Sequence, residues 1–494
     1  MNGKMLAVVA AFAVCLTTVA EPAVKDYEND FTTGTAGKAE PSAPLARFGV
    51  MSDVHVAKPG DEAMFVKALR YFDAEKVDGV VLAGDMADTG RSSQLKLVAD
   101  AWYSVFPNDC GADGRPVEKL FIYGNHDIDG HLWSELSKQG KETIAQEALG
   151  VGDNRRKAWT SYFREPFKPI WMKRMKGVLF IGAHYKGQNT TTDVETFIKV
   201  HAGEIDKAKP LFYIQHTMAR DTAFGPWAEG ADDGAVVRAL SPYPKAVAFC
   251  GDTHYTLTDE RSLWQGAFTV VNTASLKYSF LGYSMRENSH GGYNTSGFAG
   301  EDKVRKHCQP PLETGDGCQA MLMEVHDDHL VLKRREFVTD SPLGDDWIVP
   351  LPADSARLSY AARAAKCVAP EFAADAKVTV MPVTGMIREA KEPCAMLEVS
   401  FPAAEPRGGC RVFEYEVTAT LVEDDFDLVQ AQRRVFAPDC YMPPKAAPRP
   451  GVCRFALKEL PIKGHYRFSV RPIECFGKKG ASISSDIVLV VDGR

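Results

Sequence analysis

The sequence predicts a layered α/β domain followed by a separate all-β domain, and three observations carry that prediction. The chain has 494 residues, beyond the size at which one hydrophobic core keeps growing, so more than one domain is required. From Phe48 onward, short β-rich runs alternate with stretches of helical character, the rhythm of strands with helices laid on them. After about residue 350, strand follows strand across Pro- and Gly-containing turns, which is the spacing of a β-sandwich.

Residues 1–20 read as a signal peptide. Lys4 precedes the apolar run Met5 to Leu16, and the small residues around Thr18 to Ala20 suit signal peptidase. The run is shorter than the roughly 20 apolar residues of a spanning helix, so cleavage and export to the periplasm or medium are expected, with no integral membrane span. Residues 21–45, rich in Pro, Gly, Thr and charge without periodicity, read as a flexible leader. The α/β domain is assigned to 46–350. Its strands are expected at Phe48 to Met51, Val77 to Leu82, Lys119 to Tyr123, Gly177 to Gly182, Leu211 to Ile214 and Ala246 to Cys250. Helices fall at Glu62 to Phe72 and Thr192 to Lys207, and closing strands from Trp264 to Phe280 and Ala320 to Phe337. Between these lies a long polar loop, 286–317. Residues 351–365 read as a linker with a short helical piece near Ala353 to Ala365, and 366–494 as the sandwich. The run Tyr466 to Gly480 in that second domain resembles the penultimate strand and turn of a fibronectin type III domain.

Composition sits at globular averages, 45% hydrophobic and 25% charged, which excludes disordered, collagenous and coiled-coil classes. Loss of the signal removes Lys4 and no acid, leaving 57 basic against 65 acidic residues. That balance argues against nucleic acid as a partner. It leaves room for a phosphate ligand if metal ions supply the local positive charge. The eleven cysteines become ten without Cys15, an even number compatible with disulfides in an exported chain. Pairing of Cys308 with Cys318 and of Cys440 with Cys453 is expected, and Cys250 reads as a buried, inert thiol.

Five clusters at or just past predicted strand ends are rich in oxygen and imidazole donors: Asp53 with His55, Asp85 after Gly84, the run Gly124 to Asp127, His216, and Asp252 with His254 after Gly251. Any one alone is weak, since Asp and His at strand ends also serve turns. Together, in this order, they resemble the calcineurin-like metallophosphoesterases, whose pattern is D-x-H, G-D, G-N-H-[DE], a His, and G-H-x-H. The resemblance covers about residues 45–340 and implies a β-sandwich flanked by helices. It further implies that Asp53, His55 and His254 hold one divalent ion, that Asn125 and His216 hold a second, and that Asp85 bridges the two. His126 would contact phosphate oxygen or protonate the leaving group, with Asp127 orienting its ring.

Carboxylate, imidazole and amide oxygen together suit two borderline divalent ions, Mn²⁺, Fe²⁺ or Zn²⁺. Such a pair can clamp a phosphoryl group and acidify a shared water, giving hydrolysis of a small phosphomonoester or phosphodiester, a nucleotide or sugar phosphate among the options. This chain departs from the family pattern at Asp252, where the family has the first His of G-H-x-H. The second ion is then held by a carboxylate, or held less tightly. Asp88 stands where purple acid phosphatases carry a tyrosine, so no ferric-tyrosinate colour is expected. A non-catalytic surface or binding protein with a degenerate second metal site is the rival reading; the presence of His126 and Asp127, which serve chemistry, weighs against it. His131 and the pair Phe224 and Trp227 are secondary candidates to line the cleft, at least as well explained by exposure or packing; His290, Arg286 and Lys277 are better explained as a solvated loop face, and His184, near the site but matching no ligand of the pattern, is left out.

Overall fold

In the computed structural model the described residues are 43–128, 153–185, 191–224, 231–277, 279, 308–309, 317–385, 393–408, 411–438, 440 and 448–491. The expected signal peptide, nearly all of the leader, His131, Arg286, His290 and Trp227 lie outside the described residues. Among the described residues no helix is long and apolar enough to cross a membrane.

The first domain is two sheets face to face with helices on both outer sides. Its strands are β1 (Ala46–Met51), β2 (Gly79–Ala83), β3 (Glu118–Ile122), β4 (Ile170–Met175), β5 (Val178–Ala183), β6 (Leu211–Gln215), β7 (Ala246–Cys250), β8 (Leu263–Gln265) and β9 (Thr269–Asn272). After the short β10 (Cys308–Gln309) come β11 (Gln319–Val325), β12 (His329–Glu336), β13 (Ser341–Pro342) and β14 (Trp347–Pro350). One sheet runs β13-β12-β11-β1-β2-β3, with β14 also on β12, and the other runs β4-β5-β6-β7-β9-β8. Within them β1, β2 and β3 are parallel, as are β5, β6, β7 and β9.

Alternation along the strands decides which face goes where. Phe48 and Val50 of β1 and Val81 and Ala83 of β2 point into the space between the sheets, where they meet Phe180, Phe212, Ile214, Val247 and Phe249. The opposite faces are covered by helices. Helix α1 (Ala63–Ala74) buries Phe65, Ala68, Leu69 and Phe72, an i, i+3, i+4, i+7 stripe. It shares its core with α2 (Ser92–Val105) and α4 (Asp153–Phe163), while the one-turn α3 (Asn125–Ile128) follows β3. On the far sheet α5 (Thr191–Val200) and α6 (Ala235–Leu240) do the same work. Helix α5 stops at Val200, short of the expected Lys207, and a 3-10 turn at Ala202–Glu204 follows it.

The second domain has a three-stranded sheet, β15 (Thr379–Gly385), β16 (Cys394–Phe401) and β19 (Gly451–Ala456), and a sheet built on β17 (Val412–Val422), β18 (Asp427–Phe436) and β20 (Gly464–Glu474) with the short β21 (Ile483–Ser484) and β22 (Val488–Val490). Val399 and Phe455 from the first meet Val417, Tyr466 and Phe468 from the second in one core. The helical piece expected in the linker forms α7 (Ser355–Leu358) and α8 (Tyr360–Lys366), with Arg363 buried. One boundary differs from expectation. Within the loop 286–317, Cys308 and Gln309 pair in parallel with Arg434 and Val435 of β18, so this piece of the first domain's sequence joins the second domain's sheet.

The expected cysteine pairs are not made. Cys453 is a buried free thiol, and Cys318 keeps its thiol hydrogen, donating to the Lys277 carbonyl at 3.5 Å. Cys367 is disulfide-bonded. Cys250 is buried, and burial pushes its thiol up to about 12, in keeping with an inert role.

Candidate metal centre

Parallel strands end on the same side of the sandwich, so residues just past β1, β2, β3, β6 and β7 meet there although they are spread over two hundred positions. The loops after β1 and β2 continue the ladder beyond the sheet: Asp53 N–H donates to the Gly84 carbonyl and His55 N–H to the Asp85 carbonyl, both at 3.0 Å. Asp53, His55, Asp85, Asp252 and His254 all have positive φ, between 46° and 66°. Asp is among the residues that tolerate this region and His follows it, but each such residue still costs on the order of 1 kcal/mol or more. The backbone is bent where the donors must converge.

Two glycines permit that convergence. A Cβ on Gly84 would stand 2.4 Å from His216 Nδ1, and one on Gly124 would stand 2.2 Å from Asp85 Oδ1. The glycines in the G-D and G-N-H-D runs are therefore there for close approach, and Gly84 also needs its φ of 93°.

Asp53, His55, Asp85 and His254 form one buried group whose donor atoms lie within 4.8 Å of one another. Asp53 Oδ1 is 2.9 Å from His254 Nε2 and 3.6 Å from His55 Nε2, and His55 Nε2 is also 3.6 Å from Asp85 Oδ2. The Ser52 hydroxyl donates to Asp53 Oδ2. On the other side of Asp85, His216 Nε2 is 3.2 Å from Asp85 Oδ2, 3.5 Å from Asp252 Oδ1 and 2.8 Å from the Asn125 amide. His216 Nδ1 faces the Ala83 carbonyl at 2.7 Å, which fixes the proton on Nδ1 and turns Nε2 toward the carboxylates. Asp85 thus lies between the two imidazole groups. Asp88, Asn125, His126 and Asp252 are partly exposed and form the open side.

Electrostatics follow from this crowding. Burial works to raise the Asp53 carboxyl, but the charge and hydrogen bond of His254, with His55 and His216 adding to them, hold it well below the usual range. Asp85 is lowered in the same way, burial being overcome by His216 and His55. Burial would lower His55, yet hydrogen bonds to Asp53 and Asp88 and the charge of Asp85 lift it to about 9. His216 is likewise held well above its ordinary value by Asp85 and Asp252 against burial. Without a metal, protons on these imidazoles stand where cations would, and this is the behaviour of a ligand set. The Asn125 amide agrees: its inward end faces both Asp85 oxygens, acceptors that suit its NH₂ in the metal-free protein, and the same end offers its oxygen around a cation. The residues fit a pair of divalent ions.

His126 is anchored twice. Its backbone N–H donates to Asp85 Oδ1 at 2.9 Å, and its Nδ1 lies 2.7 Å from the Asp88 carbonyl, so Nε2 is its working nitrogen. Its ring stands edge-on to His55, 4.6 Å between centroids. The expected orientation of this ring by Asp127 is not observed. Asp127 is fully buried and accepts from the backbone N–H of Met86 (3.2 Å), Ala87 (2.7 Å) and Gly124 (2.8 Å), tying the loops after β2 and β3 together. Burial and the neighbouring Asp85 charge push its carboxyl up to about 6 against those three bonds.

Three contributors were missed or undervalued in the sequence. Asp88, noted only for what it excludes, lies 3.5 Å from His55 Nδ1 through its carboxylate and supports His126 through its carbonyl. Ser52 holds a ligand carboxylate and is itself reached by the Thr273 hydroxyl at 2.6 Å. Lys277 donates to the His55 carbonyl at 2.5 Å and lies 3.3 Å from Asp61, so it belongs to the rim of the centre. His184 belongs to the packing: it accepts from the Tyr123 N–H at 3.0 Å, is boxed by Trp159 and Phe167, and burial lowers it to about 3. Phe224 packs edge-on against Tyr255, 4.2 Å between centroids.

Residues 46–238 match the calcineurin-like phosphoesterase family model. The matched phosphoesterase region contains Asp53, His55, Asp85, Asn125, His126, Asp127 and His216, and it ends before Asp252 and His254. No curated protein matches the chain. Among solved structures, a dimetal phosphatase from Danio rerio is similar over 61% of this chain and 99% of its own, at 12% identity and a TM-score of 0.33. A purple acid phosphatase from yellow lupin seeds is similar over 62% of this chain and 53% of its own, at 13% identity and a TM-score of 0.34. The Plasmodium protein GAP50, described as the anchor in the inner membrane complex, is similar over 63% and 92%, at 9% identity and a TM-score of 0.33.

Proposed function

We propose that this protein is an exported, metal-dependent phosphoric ester hydrolase acting on a small phosphomonoester or phosphodiester. The observation that carries the reading is the meeting of Asp53, His55, Asp85, Asn125, His216, Asp252 and His254 from five strand ends, with Asp85 between the two imidazole groups. Asp53, His55 and His254 would hold one ion, Asn125, His216 and Asp252 a second, and Asp85 both. When bound, the two ions supply Lewis-acid polarisation of the phosphoryl group and a water acidified for attack. Mn²⁺, Fe²⁺ or Zn²⁺ match the donors.

The chain's own groups do the rest. The Asp88 carbonyl accepts from His126 Nδ1, leaving Nε2 at the open side, from which the imidazolium form donates to phosphate oxygen or to the leaving group. Asp127 keeps the two loops in register, which holds the His126 backbone N–H on Asp85. Asp252, 3.5 Å from His216, supports a second ion held by carboxylate rather than a degenerate site. The export assignment rests on residues 1–20, and the likeness of the second domain to fibronectin type III rests on the hairpin at Tyr466 to Gly480.

The test is hydrolysis of aryl phosphomonoester and diester substrates by the mature protein, stripped of metal and reloaded separately with Mn²⁺, Zn²⁺, Fe²⁺ or Mg²⁺. Turnover restored by metal supports the reading. A folded protein inactive with every ion on both esters sinks it and leaves the binding-protein alternative.

A further inference from the structure

The connection between β7 and β8 carries Asp252 and His254, and it is buried from Thr253 to Ser262 although most of its residues are polar. A buried connection of that kind must find partners for its backbone and its charges. Some come from its own domain: Asn272 donates to the Tyr255 carbonyl at 2.7 Å, Gln319 accepts from Leu257 N–H at 2.8 Å, and Arg334 donates to the Leu257 carbonyl at 2.8 Å.

The remainder come from beyond residue 350. Tyr360 on α8 accepts from Phe224 N–H at 2.8 Å and donates to the Arg261 carbonyl. Arg363, one turn on, donates to the Glu260 carbonyl at 2.5 Å and to that of Leu263. Thr258 donates to the Cys440 carbonyl, and the Arg261 guanidinium lies 4.5 Å from the Phe413 ring centroid. Through Phe224, whose ring packs on Tyr255, the Tyr360 hydroxyl reaches the residue next to His254.

We infer that α8 and the C-terminal β domain are a positioning element for the metal centre, clamping the connection behind His254 and thereby setting the place of Asp252 and His254. Tyr360 and Arg363 are its positioning residues. The inference rests on the metal reading above, yet part of its test does not need a metal.

The experiment compares the full chain with Tyr360→Phe, Arg363→Lys and, as a control, Tyr466→Phe, which removes a 2.6 Å hydroxyl bond to the Ile462 carbonyl inside the same β domain without touching the connection. Co²⁺ is titrated into metal-free protein and its visible absorption recorded, and amide exchange is followed at residues 252–262. Tyr360→Phe is expected to weaken Co²⁺ binding about tenfold or more, to shift the band, and to speed exchange at 252–262 while β1 to β3 exchange as before. Arg363→Lys, which keeps the charge but loses the two-pronged grip, is expected to do the same to a smaller degree, and Tyr466→Phe to change neither readout. Equal Co²⁺ binding and exchange in Tyr360→Phe and the parent overturns the inference. So does an equal effect of Tyr466→Phe, which would assign the change to general domain stability. A parent protein that takes up no Co²⁺ sinks the metal reading instead, and the exchange comparison then decides the clamp alone.

Discussion

Asp127 and His126 are neighbours in the most specific run of the sequence, and the structure separates what they do. Three backbone N–H groups converge on Asp127 in a fully buried place, so Asp127→Ala leaves all three without an acceptor. A loss of about 3 kcal/mol or more is expected in denaturant titration of the metal-free protein, at about 1–3 kcal/mol for each buried polar group left unpaired. The His126 ring, by contrast, stands at the open side of the centre, and it is the backbone N–H of residue 126 that binds Asp85. His126→Ala should therefore lower turnover by roughly 10²–10⁴ while metal content measured by elemental analysis stays near that of the parent. Loss of metal in that variant would make His126 a ligand. The histidines of the centre also set a pH dependence. His55 is lifted from 6.5 to about 9 in the metal-free fold, so its protonation stabilises that fold fully below pH 6.5, and the contribution is lost as pH rises to about 9. Metal-free protein should lose on the order of 1 kcal/mol per pH unit across that window, with metal-loaded protein spared because the ion has displaced the proton. Thermal unfolding of both forms between pH 6 and 9.5 checks this; parallel curves would remove His55 from the ligand set.

The strands that carry the donors were legible at the level of elements because each is a short apolar run ending in a polar cluster, as in Leu211–Gln215 before His216 or Ala246–Cys250 before Asp252. Helix α1 was legible for the same reason, its buried Phe65, Ala68, Leu69 and Phe72 recurring at helical spacing. Strand β18 escaped notice because Asp427 to Arg434 places polar residues on both faces and leaves Leu428 and Val429 exposed, so neither period stands out. What no local pattern could reveal is tertiary: that Asp88 turns to His55, that Asp127 faces backbone rather than a ring, or that the supposed linker buries an arginine. The glycines are the element-scale test of how tightly the loops pack. Gly84→Ala asks a positive-φ residue to carry a Cβ 2.4 Å from His216 and 2.8 Å from the Gly124 backbone, and Gly124→Ala puts one 2.2 Å from Asp85 Oδ1. Each should cost about 1–3 kcal/mol in stability and displace the residue it strikes. Co²⁺ titration should show the Gly124 variant losing metal binding as Asp85 moves; normal binding by both variants would mean the loops shift freely.

For the whole molecule the question is whether residues after 350 form a separable appendage, as strand pattern alone led us to expect, or part of one body. The contacts favour one body. Buried arginines reach across between the halves: the Arg261 guanidinium lies over the Phe413 ring, Arg363 binds the carbonyls of 260 and 263, and with them Arg411 binds the Leu343 carbonyl at 2.6 Å and β10 from the first half's sequence pairs with β18 of the second. A chain cut before Tyr360 would take the Phe413 ring from Arg261, the Tyr360 hydroxyl from Phe224 N–H and the Arg363 guanidinium from the Glu260 and Leu263 carbonyls, while Arg363 in the other piece would lose those same carbonyls. Uncovering buried polar groups that were each paired is costly on both sides, so neither half should unfold while the other stays intact. Calorimetry of the metal-free protein is therefore expected to give one cooperative transition reporting both halves, with tryptophan emission, dominated by the first domain, and far-ultraviolet dichroism changing together. Two resolved transitions, with the β domain melting alone and the first half retaining its Co²⁺ spectrum, would show that the crossing arginines contribute little and that the two halves fold as independent units.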